Sequence, residues 1–376
     1  MRHIPSVLIL YFVLLQSCCV AAHPLVSAPD SDSLRIKIGQ MIMVGFRGTD
    51  AAGSVAVLRD IETLHIGGVI LFDYDVPAKS PVRNVQSPSQ LRALTASLQR
   101  RSAIPLFIAI DQEGGKVNRL KPKFGFPGSV SQKILGRIGS ADTARAAGER
   151  TGHILADAGI TVNFAPVLDL ESNPDNPVIA KLERSFSPDP RAVTKLGGAM
   201  LDGMHSRGIL CAIKHFPGHG SSSGDTHTGF VDVTSTWTHR ELEPFAAIIR
   251  EQRCDMVMTA HIVNRRLDPD LPSTLSRKVI TSLLRDSLGF QGVVVSDDLQ
   301  MKAITDEYGF EDALRRAVDA GVDILLFGNN AGVFDAEVAS KAVATLRALV
   351  TSGAITEHRI DESFRRVMAL KNRKWR

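Results

Sequence analysis

Eight short apolar runs recur along the chain, and they set the narrowest limit on its fold. They are QMIMVGF (40–46), GGVILF (67–72), LFIAID (106–111), FAPVLD (164–169), CAIKHF (211–216), MVMTAHI (256–262), GVVVSDD (292–298) and ILLFGN (324–329). Each is apolar continuously rather than at alternate positions, the pattern of a parallel strand buried on both faces. Between them lie helix-patterned stretches such as SQLRALTASLQRR and EDALRRAVDAG. The second closes at Gly321, a residue suited to the position just past a helix. Eight strand–helix units predict an α/β fold of one domain, a (β/α)₈ TIM barrel, and 376 residues suffice for a barrel of about 250. A doubly wound open sheet competes, but it would carry a phosphate-binding glycine fingerprint. DQEGG and HFPGHG lack that spacing.

Polar residues fall where such a barrel builds its active site. Asp111, Asp169, Lys214, His215, His261, Asp297, Asp298 and Asn329 all stand at the carboxyl ends of apolar runs. In a barrel those ends meet at one face. Any one of these residues could be a helix cap or a solvated loop side chain; one shared pocket explains all of them together.

The densest chemistry is in KHFPGHGSSSGDTH (214–227), with three histidines, a lysine and an aspartate. Asp225 and His227 are two apart, so in an extended segment both side chains point the same way. A carboxylate so placed can fix an imidazole tautomer and favour its proton-donating form. Histidine suits general acid/base work because its reference value, about 6.5, lies near working pH. The glycine-rich stretch GHGSSSG reads as a tether that lets His227 move over a substrate. His215 and His219 have the spacing of helical metal ligands, but Pro217 and Gly218 between them break a helix, so no metal or other cofactor is expected.

The N-terminus reads as a secretory signal over residues 1–22. Arg2 and His3 precede an apolar run at 7–15, and Val20, Ala21 and Ala22 satisfy the small-residue cleavage rule. The run is too short to span a bilayer. A polar linker, 23–33, and the catalytic domain, 34–376, follow. Export to the periplasm or medium is expected. The alternative is a lipoprotein held to the membrane through Cys18, although Gln16 is a poor residue inside a lipidation box. Two cysteines remain, Cys211 and Cys254, both expected as buried thiols beside strands. The formal charge of +4 is scattered, which argues against a nucleic-acid partner. The basic ending, 371–376, suits the last turn of a helix, and a monomer is expected.

KHFPGHG followed by DTH, together with DQEGG, LERSF and GFQGVVVSDDLQM, resembles the family 3 glycoside hydrolases. Among these the chain is similar to the single-domain bacterial β-N-acetylhexosaminidases, from Lys37 to Leu370. The resemblance implies Asp297 as nucleophile, His227 as general acid/base and Asp225 as the residue orienting it. It also implies Asp111, Arg119, Arg184, Lys214 and His215 as sugar-binding residues. Sequence phase alone does not separate Asp297 from Asp298, because the strand is apolar on both faces. Lys116 and Thr226 stand where the family usually has arginine and serine, and LFDYDVP lacks the asparagine often found there. Asp169 reads as support for the pocket and Glu113 as a loop brace outside it.

The implied activity is that of a retaining exo-β-N-acetylhexosaminidase. It would remove terminal β-linked N-acetylglucosamine from peptidoglycan-derived or chitin-like oligosaccharides through a covalent glycosyl-aspartate. A β-glucosidase, an N-acetylglucosaminide phosphorylase and a non-catalytic sugar-binding barrel are the competing readings.

Overall fold

A computed structural model of the protein describes residues 31–374. The expected signal and most of the expected linker lie outside them. The first helix, Ser31–Gln40, takes up the last residues of that linker. The strands are β1 Ile42–Gly45, β2 Gly68–Leu71, β3 Phe107–Ile110, β4 Val162–Asn163, β5 Leu210–Phe216, β6 Met256–Thr259, β7 Val293–Val295 and β8 Leu325–Phe327. They pair in parallel in chain order, and β8 returns to β1 with Ile42 opposite Leu325. Between β7 and β8 the ladder narrows to a Val295–Ile324 bridge, with Ser296 N donating to Ile324 O at 2.9 Å. The result is a nearly closed (β/α)₈ barrel.

The continuous apolar runs are explained by the two faces of each strand. Met43, Ile70, Phe107, Ala109, Val162, Phe164, Leu210, Ala212, Met256, Met258, Val293, Val295 and Leu326 fill the barrel interior as one cluster. The intervening residues, among them Val44, Val69, Ile108, Ile213, Val257, Val294 and Leu325, pack with the surrounding helices. Each strand therefore buries both its faces.

One strand sits earlier than expected. The run FAPVLD (164–169) predicts β4, but the ladder covers only Val162–Asn163. Pro166 has no N–H to give a neighbouring strand, and pairing with β5 resumes only at Val167 opposite Lys214. The rest of that run becomes the segment that carries Asp169 to the pocket. The helices match their signals closely. Ser87 and Gln90 form a capping box at the start of Pro88–Arg101, and Gly321 closes Phe310–Ala320 at φ +115°.

The amino-terminal end of the barrel is sealed by the helix Glu357–Lys374, which sends Val367 and Leu370 into the interior cluster. Lys371 lies across the same end. Its ammonium donates to Gln40 Oε1 at 2.6 Å and Gly67 O at 2.9 Å, 4.8 Å from the Phe107 ring centre. Cys211 is buried and Cys254 half-buried, and both are free thiols.

Candidate active site

At the carboxyl end of the strands a cavity of about 370 Å³ is floored by Ile70, Phe164, Met258 and Leu326 of the interior cluster. Its walls include Asp111, Arg119, Arg184, Lys214, His215, His227 and Asp297, seven of the eight residues singled out above. The eighth, Asp225, reaches it through His227: Asp225 Oδ1 accepts from His227 N and faces His227 Nδ1, both at 2.8 Å.

Strand phase places three of these side chains. Asp111, Lys214 and Asp297 continue the inward series 107–109, 210–212 and 293–295 by one more step of two. Asp298 continues the outward series. Its Oδ1 accepts from Gln300 N at 3.0 Å and Gly328 N at 2.9 Å, so it holds the loops after β7 and β8 together.

Electrostatics separate the two aspartates further. Burial pushes Asp297 up, but the rings of His261, His215 and His227 outweigh it and hold the carboxyl at about 2. Asp298 is pushed up to about 6 by burial, against the pull of the Gly328 and Gln300 amides. Near neutral pH Asp297 is therefore a carboxylate pointing into the cavity, the state a nucleophile needs. Its neighbour His261 is anchored through Nε2, 2.9 Å from Asp298 O; a carbonyl only accepts, so Nε2 carries the proton.

The sugar-binding candidates form one charged network. Lys214 Nζ contacts Asp111 Oδ1 at 2.7 Å and Glu113 Oε1 at 2.6 Å. Arg184 grips Glu113 with both prongs, Nε to Oε2 at 2.7 Å and Nη2 to Oε1 at 2.8 Å. Arg119 Nη2 lies 3.6 Å from Asp111 Oδ2, and its buried Nε has no hydrogen-bond partner among the described residues. Burial acts to raise both acids, yet the cations prevail and hold Asp111 and Glu113 below their ordinary values. Burial opposes the charge on Arg184 in turn, and Glu113 raises its affinity for the proton above the ordinary value.

The sequence pattern marks Glu113 as a loop brace outside the site. In the structure it lines the cavity and pairs with two cations, Arg184 and Lys214, rather than bracing its own loop. The usable signal was charge balance: Lys214 and Arg184 could not both be buried beside Asp111 alone.

Asp169 is the support for His215. Its Oδ2 lies 2.6 Å from His215 Nδ1, and its Oδ1 accepts from His219 N at 2.7 Å. Arg184 Nη2 meets the other ring nitrogen of His215 at 3.1 Å; a guanidinium only donates, so His215 carries its proton on Nδ1. His219 is buried, with Nδ1 2.9 Å from Ser222 Oγ and Nε2 3.5 Å from Thr226 Oγ1. Burial, with His215 beside it, pushes it down to about 4, so this ring is neutral.

The loop after β5 is not the free tether that its glycines indicated. Residues 217–222 are all buried, and exposure begins only at Ser223. Asn176 Nδ2 donates to His219 O at 2.8 Å, and Asn173 Nδ2 to Ser222 O at 2.9 Å. A Cβ at Gly220 would lie 1.8 Å from Leu170 O, so glycine is required there by close packing. Only the tip, with His227 exposed at 63%, stands free over the cavity.

Residues 33–370 match the glycosyl hydrolase family 3 N-terminal domain. The chain belongs to glycosyl hydrolase family 3. It is 37% identical over 379 residues to Beta-hexosaminidase A of Pseudoalteromonas piscicida, covering 89% of this chain and 60% of that one. A family 3 β-N-acetylglucosaminidase from Paenibacillus sp. str. FPU-7 superposes with TM-score 0.83 at 39% identity, over 91% of this chain and 62% of that one. A β-N-acetylhexosaminidase from Beutenbergia cavernae gives TM-score 0.81 at 30% identity, over 90% and 98%. The chain thus spans about three fifths of the first two relatives and nearly all of the third. As a family 3 domain, it carries its polar network at the strand ends where a barrel enzyme builds its site.

Proposed function

We propose that the protein is a retaining exo-β-N-acetylhexosaminidase. The observation that carries this reading is one cavity holding an ionised Asp297 on its wall and an Asp225–His227 pair at its rim. In the first step an Asp297 oxygen attacks the anomeric carbon while the glycosidic C–O bond breaks. The proton on His227 Nε2 passes to the departing oxygen, with Asp225 holding the other ring nitrogen. In the second step His227 takes a proton from water, the water oxygen bonds to the anomeric carbon, and Asp297 is released.

Asp111, Lys214, Arg119, Arg184 and His215 supply donors and acceptors for sugar hydroxyls and the acetamido carbonyl. Arg119 lines the cavity with its guanidinium, Nη2 standing 3.6 Å from Asp111 Oδ2. The apolar floor closes the cavity below, which favours a terminal sugar over mid-chain binding. The names of the aligned relatives agree with an amino-sugar substrate. We assign terminal β-linked N-acetylglucosamine on wall-derived or chitin-like oligosaccharides, acted on by an exported monomer.

The test is release of 4-nitrophenol from its N-acetyl-β-glucosaminide and from its β-glucoside. Faster turnover of the glucoside overturns the assignment. A phosphorylase is the second reading, since an imidazole acid/base repels phosphate less than a carboxylate does. Running the assay with inorganic phosphate separates the two, because a phosphorylase yields the sugar phosphate and a hydrolase the free sugar.

A further inference from the structure

Beneath the loop that carries His227 lies a buried acid which the mechanism above does not use. Glu241, 1% exposed, belongs to the short turn His239–Leu242 that follows the loop in the chain. Its Oε2 accepts from Gly220 N at 2.9 Å. Its side chain also fills the space beside Gly218, where a Cβ would come within 2.6 Å of it. From the same segment Trp237 Nε1 donates to Pro217 O at 3.1 Å. The segment thus holds the loop at Pro217 and at Gly220, on either side of His219. His219 in turn spans from Asp169 to Thr226, the residue before His227.

We propose that Glu241 is a positioning residue for proton transfer, fixing the root of the 217–227 loop so that its tip presents His227 to the cavity. The proposal rests on the reading of His227 as proton donor. Glu241 acts through the Gly220 amide and the buried turn rather than on the cavity itself. Facing it are the Asp169 carboxylate from the segment after β4 and the Gly220 and Ser221 groups of the loop.

The charge state of this acid follows from its surroundings. Burial, with Asp169 adding to it against the opposing pull of Ser221, pushes Glu241 up to about 7. A carboxylic acid raised in the folded state is favoured there as the neutral form. Its contribution is therefore complete in acid and declines as pH rises through about 7, when a second negative charge appears near Asp169. The loop should be held most firmly in the pH range where an imidazole still carries its proton to donate.

The experiment compares kcat and KM across pH for chitobiose, whose leaving group needs protonation, and 4-nitrophenyl N-acetyl-β-glucosaminide, whose leaving group does not. Glu241→Ala should lower kcat on chitobiose about tenfold, part of the roughly 10²–10⁴-fold that proton transfer supplies. The aryl substrate should lose less, with KM nearly unchanged for both. Glu241→Gln, the shape of the neutral acid, should keep most of the wild-type rate in mildly acidic buffer and lose less of it on the alkaline side.

The proposal is overturned if Glu241→Gln keeps the wild-type pH profile, a result that decides the matter even where Glu241→Ala does not fold. It is also overturned if Glu241→Gln is as impaired as a folded Glu241→Ala. A parallel His227→Ala control separates the two readings. If that variant leaves the ratio between substrates unchanged, the proton-donor reading falls and this proposal with it. If it shifts the ratio while neither Glu241 variant does, the positioning role alone falls.

Discussion

Lys214 Nζ lies 2.6 Å from Glu113 Oε1, with both side chains almost completely buried, and the same carboxylate receives both prongs of Arg184. One acid thus neutralises cations from two other parts of the chain. Removing it leaves the buried Lys214 and Arg184 cations with Asp111 as the acid beside Lys214. Glu113→Ala should therefore cost about 3–5 kcal/mol of stability, the usual result of breaking a buried pair on one side. Urea unfolding at neutral pH measures it.

The same residue makes an acid-stability prediction. Glu113 and Asp111 are held below their ordinary values in the folded protein. The stability they contribute is complete above the ordinary carboxylate range, about pH 4, and is lost as pH falls towards their lowered values. Glu113→Gln should lose less stability than the parent between neutral pH and about pH 3. An equally steep acid limb in the variant would sink the idea.

Asp297 and Asp298 should part company on mutation. Asp297→Ala should lower turnover by at least roughly 10³-fold while the protein stays folded, because a nucleophile supplies the whole covalent path. Asp298→Ala should instead loosen the loops held by its bonds to Gln300 and Gly328, costing about 1–3 kcal/mol and leaving measurable activity. Steady-state kinetics beside thermal melting checks both. The reverse pattern would move the nucleophile by one residue.

His227→Ala should cripple natural oligosaccharides far more than the aryl glycoside, which needs little protonation as its bond breaks. Added azide should restore part of the aryl turnover by replacing water in the second step. Asp225→Ala should show a weaker form of the same pattern. Equal slowing of both substrates with no rescue by azide would make His227 a structural residue.

Gly220→Ala should be disproportionately harmful for so small a change. Its Cβ would be driven against the Leu170 carbonyl, which is backbone and cannot turn aside. Melting temperature and kcat should both fall. A Gly224→Ala control, whose Cβ would meet the Val231 side chain first, at 3.0 Å from Cγ2, should be milder than this backbone clash.

The strand runs were legible because burial on both sheet faces writes an unbroken apolar word into the sequence. That same property hid the difference between Asp297 and Asp298, which depends on knowing which face of Val293–Val295 looks inward. Spacing alone placed Asp225 against His227, since the contact is local. Glu113 could not be read this way, for its partners are 71 residues away at Arg184 and still farther at Lys214. The glycines of the loop mislead for a related reason: Gly218 and Gly220 answer to Glu241 and Leu170, contacts that no local pattern records. The start of β4 was displaced because Pro166 sits in an apolar run that otherwise looks like any other.

The pairing of β1 with β8, Ile42 opposite Leu325, has a consequence for how the molecule is made. A ring whose first stave must wait for its last cannot be assembled piecemeal as it leaves the ribosome. The helix that sends Val367 and Leu370 into the interior, and sets Lys371 across its end, comes later still. For most of its synthesis the polypeptide lacks the partner that would close it, so the ring can shut only when its last strand is in hand.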